Sequence, residues 1–237
     1  MKQAGSYRCG IALATLLILS ASLRAQEKTP STAGLESVLD RMDTAASNFR
    51  TTEAAFVWTQ YTKIVDENDT QKGEVYFRRS GGDIQMAADI TAPAKKYVLF
   101  NGSRVEVYEP RIDQVTVYNP GKNREAVESF LVLGFGGRGH DLAKSFDVTY
   151  AGTEKLDGEE TAKIDLVPRS DRVRGMFTHI TLWIDPQRGI SVQQQLWQPN
   201  GDYRLAKYSD IHINQKISEG VFKLKTTGKT KSASPQG

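Results

Sequence analysis

Residues 97–117 read YVLFNGSRVEVYEPRIDQVTV. Tyr97, Val98, Leu99 and Phe100 form an apolar run that stops at Asn101-Gly102. Asn-Gly suits a two-residue hairpin turn because both residues tolerate positive φ. Val105 and Val107 then alternate with polar neighbours, Pro110 to Asp113 interrupt, and Val115 and Val117 resume the alternation. A repeated strand and turn with period two is the signature of an antiparallel meander.

The same rhythm extends in both directions. Upstream, Phe56, Trp58 and Ile64 alternate with polar residues, Val75, Phe77 and Arg79 share one parity, and Met86 lies in the next run. Downstream, Ala162-Ile164-Leu166, Ile180-Leu182-Ile184, Val192 to Leu196 and Tyr203 to Ile213 read as further strands. Turn signals stand at Gly81-Gly82, Pro120-Gly121, Asp157-Gly158 and Asn200-Gly201. This predicts about ten or eleven strands. An antiparallel sheet of that length must curl to bury one face.

Two stretches carry helical spacing instead. Leu35, Val38, Leu39, Met42, Ala45, Ala46 and Phe49 fall on one face, opposite Glu36, Asp40, Arg41, Asp43 and Asn48. They predict an amphipathic helix of about four turns, beginning near Ser31 or Thr32 and packing on the sheet. The second stretch, Asn123 to Leu133 (NREAVESFLVL), precedes Gly134-Phe135-Gly136-Gly137-Arg138-Gly139, and a short helix is expected from Asp141 to Ser145. Phe130, Leu131, Val132, Leu133 and Phe135 carry more apolar surface than a lone loop exposes. An apolar helical insertion with a glycine-rich hinge has the composition of a movable cover.

The N-terminus reads as a secretory signal. Lys2 and Arg8 precede the apolar run Ile11 to Leu19, and small residues lead to an expected cleavage after Ala25, so that the working chain begins at Gln26. A spanning helix needs about 20 apolar residues, roughly twice this run. The signal carries Lys2, Arg8 and Arg24 and no acidic residue, so its removal takes away the whole formal net charge of +3. No basic field for nucleic acid is left. The single cysteine, Cys9, also lies in the signal. The exported chain then has no disulfide, no thiol nucleophile and no lipid anchor. Residues 26–225 are expected to form one domain. Residues 226–237 (TTGKTKSASPQG), with Lys223, Lys225, Lys229 and Lys231 in or near them, are expected to be a loose, solvated, basic tail.

Little in the sequence points to catalysis. Gly134, Gly136 and Gly139 match G-x-G-x-x-G, but a strand resumes at Phe146, leaving no room for the helix that a dinucleotide site requires. His140, His179 and His212 have no metal-ligand spacing, and G-x-S-x-G and H-E-x-x-H are absent. Asp66-Glu67-Asn68-Asp69 and Glu159-Glu160 sit at turns, where solvation explains them. No enzymatic activity and no cofactor are expected. What remains is an apolar inner face, with Arg79 sharing the parity of Val75 and Phe77. A buried arginine must find acceptors such as carbonyls of the cover, a carboxylate or a ligand group.

The chain resembles the periplasmic outer-membrane lipoprotein carrier family (LolA-like) over nearly all of its exported length. The likeness rests on the N-terminal helix and on Phe56-Val57-Trp58-Thr59-Gln60. Gly73-Glu74-Val75-Tyr76-Phe77-Arg78-Arg79 looks like the family's strand that ends in arginine. Asn101 to Pro110 with Asp113-Gln114-Val115 resembles its most specific segment, and Ile217 to Leu224 its closing pattern. The resemblance implies an incomplete, half-open antiparallel β-barrel lidded by helices over a hydrophobic cavity for acyl chains. Expected to line it are Phe56, Trp58, Val75, Phe77, Met86, Leu99, Val105, Val107, Val115, Val117, Ile164, Leu166, Ile180, Leu182 and Leu196. Phe130, Leu131, Leu133 and Phe135 would form the lid. Arg79 would latch it, or Arg78 if the register slips by one.

Such a protein is a monomeric periplasmic carrier. It takes acylated lipoproteins from an inner-membrane ABC-type extractor to an outer-membrane receptor. Ser80-Gly81-Gly82-Asp83 depart from the Pro that usually follows the family's arginine. This leaves room for a different lipid as cargo, or for a stationary lipoprotein-sensing module.

Overall fold

The computed structural model describes residues 32–80, 83–102, 104–119, 133 and 135–234. The expected signal peptide, most of the helical stretch 123–133 and the turns at 81–82 and 120–121 lie outside the described residues.

Helix α1 spans Thr32–Asn48. Its predicted stripe is the buried one, with Val38, Leu39, Met42 and Ala46 inward and Phe49 just beyond its end. Asn214 terminates it: Nδ2 donates to the Asn48 carbonyl at 2.9 Å, and Oδ1 accepts from the Arg50 amide at 2.8 Å. Groups left unpaired at a helix end are thereby tied to the start of the first strand.

The strands are β1 Thr51–Thr62, β2 Glu67–Ser80, β3 Asp83–Ala92, β4 Lys96–Phe100, β5 Val105–Glu109, β6 Gln114–Tyr118, β7 Phe146–Leu156, β8 Glu159–Pro168, β9 His179–Asp185, β10 Ile190–Trp197, β11 Tyr203–Ile213 and β12 Lys231–Ala233. Helix α2 covers Gly139–Ser145, α3 covers Asp171–Arg174, and a 3-10 helix covers Glu219–Phe222. All twelve strands join in one sheet, in the order β12-β6-β5-β4-β3-β2-β1-β11-β10-β9-β8-β7. The sheet is open, with β12 and β7 at its edges. It also curls, because opposite wings reach the same helix. Val38, Leu39 and Met42 pack with residues of β7, β8 and β9. Ala45 and Phe49 pack with residues of β1 to β5.

The register sorts the side chains. Ala54↔Val75, Val75↔Ala88, Ala88↔Val98 and Val98↔Val107 form one concave row across β1 to β5. On the other wing, Leu196↔Ile180 and Ile180↔Leu166 continue that face.

Three expectations need correction. First, the described sheet has twelve strands rather than ten or eleven, and one pair is parallel, β12 with β6. Second, the segment expected to be a loose tail supplies that strand. Lys231 N donates to the Asp113 carbonyl at 2.9 Å, and Thr227 and Thr230 donate side-chain hydrogen bonds to the Asp113 carboxylate. Third, Leu99, Val115 and Val117 belong to the convex face. Leu99 pairs with Glu106 and Glu106 with Val117, one step out of phase with the concave Phe100↔Val105 pair. The run 97–100 is apolar at every position, so alternation cannot choose its inner side. The convex positions are apolar there because the C-terminal segment covers them.

Candidate functional site

The concave face is apolar through its middle. Phe56, Val75, Phe77, Met86 and Phe100 are buried on the β1–β5 wing, and Ile164, Leu166, Ile180 and Leu182 on the other. Trp58, Val105 and Leu196 are partly buried against these clusters, and Val107 stands on the same face. Thus the register brings together all the expected lining residues except Leu99, Val115 and Val117. The sequence reading missed Phe100, Val98, Ile84, Ile90 and Tyr208. Phe100 was the neighbour of the residue chosen, and Tyr208 was identifiable only through its pairing with Phe56.

The segment before α2 fills this face. Leu133 enters one cluster and Phe135 the other, with Phe135 completely buried. Its ring lies 5.3 Å from Phe77 and meets Tyr208 edge-on at 5.1 Å. Burial pushes the Tyr208 hydroxyl pKa up to about 12, so its ring faces the plug as an uncharged surface. Phe130 and Leu131, the other expected lid residues, lie outside the described residues.

Gly136, at φ +82, turns the chain back out, and its carbonyl accepts from Arg79 Nη2 at 3.1 Å. The same nitrogen lies 3.5 Å from the Ala46 carbonyl of α1, and the guanidinium stands 5.8 Å from the Phe49 ring. Arg79 therefore points to the concave side, but it is exposed at the rim rather than buried, because β2 is ending there. Arg78 faces the convex side, where Nη1 bonds both carboxylate oxygens of Glu219 at 2.7 Å.

The glycines near Phe135 serve close approach. A Cβ on Gly136 would fall 2.5 Å from the Phe49 ring, and one on Gly139 would fall 2.6 Å from the Leu39 carbonyl oxygen. Their absence of side chain lets the segment and α2 press onto α1. His140 completes the clasp, with Nδ1 2.9 Å from Asp43 and Nε2 3.1 Å from Glu36. Hydrogen bonds to Glu36 and Asp43 raise the His140 pKa above its ordinary value. For Asp43, burial acts upward, but hydrogen bonds from His140 and the nearby Arg138 outweigh it and hold the carboxyl below its usual range. His179 instead stacks on Trp197, and His212 lies near Gln215, so the histidines do not converge.

At the opposite end of β1 the concave face opens in a polar mouth. Trp58, Gln60, Asp69, Gln71 and Arg204 surround a hollow of about 280 Å³. The Arg204 side chain donates to Gln60 at 3.3 Å. No described helix is long and apolar enough to cross a membrane.

A curled open sheet around one helix, with an apolar concave face filled by a chain segment, defines a class of small β-proteins built around a hydrophobic interior. Residues 47–225 match the profile of the family described as outer membrane lipoprotein carrier protein LolA, and the chain belongs to that family. The family's carriers are periplasmic and non-enzymatic. Solved structures share the fold at low identity. An uncharacterized conserved protein from Thermus thermophilus is 12% identical, with 84% of this chain and 98% of that one covered and a TM-score of 0.52. The Mycobacterium tuberculosis lipoprotein LppX is 15% identical, with 79% and 99% covered and a TM-score of 0.51. MucB, which is also described in complex with MucA from Pseudomonas aeruginosa, is 13% identical, with 83% of this chain covered and a TM-score of 0.52. This chain spans 64% of the length of MucB. A search of curated proteins finds none that matches the chain in sequence.

Proposed function

We propose that the protein is a periplasmic carrier that shields lipoprotein acyl chains on its concave face and shuttles them from the inner to the outer membrane. The observation that carries this reading is Phe135, fully buried on that face from a segment held at one rim by Arg79. An empty carrier must hide its apolar surface and still yield it to cargo, and the magnitudes permit both. Exposing Phe135 costs about 3 kcal/mol. Breaking the rim hydrogen bond costs about 1 kcal/mol at an exposed position. An acyl chain of roughly fifteen methylenes gains on the order of 12 kcal/mol on burial. Cargo therefore displaces the plug, and the plug returns when cargo leaves. In this reading Arg79 is the latch, the signal peptide is removed near Ala25, and the monomer takes cargo from an ABC-type extractor and passes it to an outer-membrane receptor.

Protein purified from the envelope, extracted with organic solvent and analysed by lipid mass spectrometry tests the reading. Co-purifying acylated protein is the expected result, and a free lipid would reassign the cargo. A protein that carries neither, and that releases no lipoprotein from spheroplasts, overturns the carrier function.

A further inference from the structure

The polar mouth stands where two apolar tracts of the concave face end. Across the sheet, Asp69 pairs with Gln60 and Gln60 with Arg204. The same row continues from Arg204 as Leu196, Ile180 and Leu166. Along β1, Gln60 follows Trp58, whose ring lies 4.8 Å from that of Phe56. Gln71 lies opposite Trp58 in the neighbouring row. One parity therefore places Trp58, Gln60, Asp69, Gln71 and Arg204 around a single hollow of about 280 Å³. That is just below the usual span of small-ligand sites, about 300–1,000 Å³. Asp69 and Arg204 are exposed and both glutamines half-buried, so the hollow faces solvent on one side and the apolar face on the other.

The side chains at the mouth specify what fits. Gln60 is engaged, accepting from Arg204 at 3.3 Å and donating to the Tyr61 carbonyl at 3.2 Å. Beyond that one bond the guanidinium keeps further N–H donors. The side chains of Gln71 and Asp69 make no hydrogen bond or ion pair among the described residues. Donors and acceptors are thus offered together. Arg204 and Asp69 stand two strands apart, about 10 Å between backbones at ordinary strand spacing, and carry opposite charges. An anionic head meets Asp69 and a cationic head meets Arg204, so a net charge of either sign encounters a like one. An uncharged head avoids both and still pairs with the guanidinium, the amide and the carboxylate.

We infer that the mouth is the head-group subsite of the concave face, selective for an uncharged head that bears both hydrogen-bond donors and acceptors. The amides of a peptide leading away from an acylated residue have this chemistry, as do the hydroxyls of a sugar. Arg204, Gln71 and Asp69 are its specificity-determining residues, with Trp58 marking where the alkyl chain begins. An opening to solvent is what a head needs when the rest of a cargo molecule continues beyond it. The inference rests on the reading that acyl chains occupy the concave face.

Calorimetric titration of the exported chain with decyl amphiphiles, each below its micellar concentration, tests the subsite. Decyl glucoside and an N-decanoyl dipeptide amide bind roughly tenfold or more tighter than decanol, through their added hydrogen bonds, and tighter than decyl sulfate or decyltrimethylammonium. Gln71→Ala with Arg204→Ala brings both down to the affinity of decanol, at an unchanged thermal midpoint. Asp69→Asn leaves Arg204 unopposed and tightens decyl sulfate about threefold, the scale of an exposed ion pair. Arg204→Gln does the same for decyltrimethylammonium. The tighter of the glucoside and the dipeptide amide identifies the source of the head. One affinity for all heads, or charged heads indifferent to both charge substitutions, overturns the subsite and leaves the acyl-carrying reading standing. Decylphosphocholine binding more tightly than both uncharged heads also overturns it, by making Arg204 and Asp69 ion partners. If no decyl compound binds saturably, the reading of the concave face falls and the subsite with it.

Discussion

Replacing Phe135 by alanine separates a plug from an ordinary core residue. The ring is wholly buried between Phe77 and Tyr208. In a rigid core, Phe→Ala costs about 3–5 kcal/mol of global stability, because the cavity remains in every folded molecule. A plug behaves differently, since the open form already exposes residue 135 and loses nothing when the ring is removed. The substitution then shifts the closed-to-open equilibrium by the transfer term alone, about 2 kcal/mol, or roughly 30-fold. Hydrogen exchange of amides 135–142 should accelerate by that factor, while exchange at Ile164 and Leu182 stays slow. Affinity for a fluorescent acyl probe should rise by up to the same factor, because apparent affinity scales with the fraction of binding-competent molecules. A uniform loss of protection across the sheet with no gain in probe affinity would refute the reasoning and make Phe135 a structural residue.

Arg79→Leu should increase acyl-probe affinity by about fivefold, from a lost hydrogen bond of about 1 kcal/mol, and should leave cargo poorly released; unchanged transfer to an acceptor membrane would remove Arg79 as latch. Gly139→Ala should force α2 away from Leu39, seen as lost protection of residues 139–145 in hydrogen exchange, since the new Cβ would lie 2.6 Å from a carbonyl oxygen. His140 gains acidic partners on folding and its pKa is raised above the ordinary 6.5. Its contribution is therefore full below 6.5 and is lost as pH rises through the raised folded value. The thermal midpoint of the protein should fall over that interval relative to His140→Gln, and parallel curves would count against the clasp. Asp113→Ala should free β12, making residues 227–234 susceptible to proteolysis while the concave face stays protected.

The meander was legible because its turns are written in residues that admit positive φ. Asp157 and Gly158 take φ 50 and 91, and Gly102 and Gly201 take 82 and 87. The buried stripe of α1 was equally legible, because its polar face is unambiguous. Where both sides of a strand are covered, alternation loses its meaning, and Leu99 and Val117 were therefore assigned to the wrong side. The cause is itself distant in sequence. A lysine-rich segment that reads as solvated is pinned by Asp113 hydroxyl by hydroxyl, and no local pattern announces that pairing. Arg79 was placed on its correct side by parity, but its exposure depends on where β2 stops. The polar mouth around Arg204 needed three strands in register before its members could meet.

The open order of the sheet has a mechanical consequence. A closed barrel that takes in a guest must stretch or break a ladder of hydrogen bonds to widen. Here β12 and β7 have no ladder between them, so the wings can spread while every strand keeps its partners. The resistance to dilation is then set by side chains that touch each wing: Leu39 and Met42 of α1 and Leu133 on one, and Ala45 of α1, Phe49 just beyond it and Phe135 on the other. Those contacts are short-ranged and non-directional. The interior can be resized for guests of different girth without any change in the pairing of the backbone.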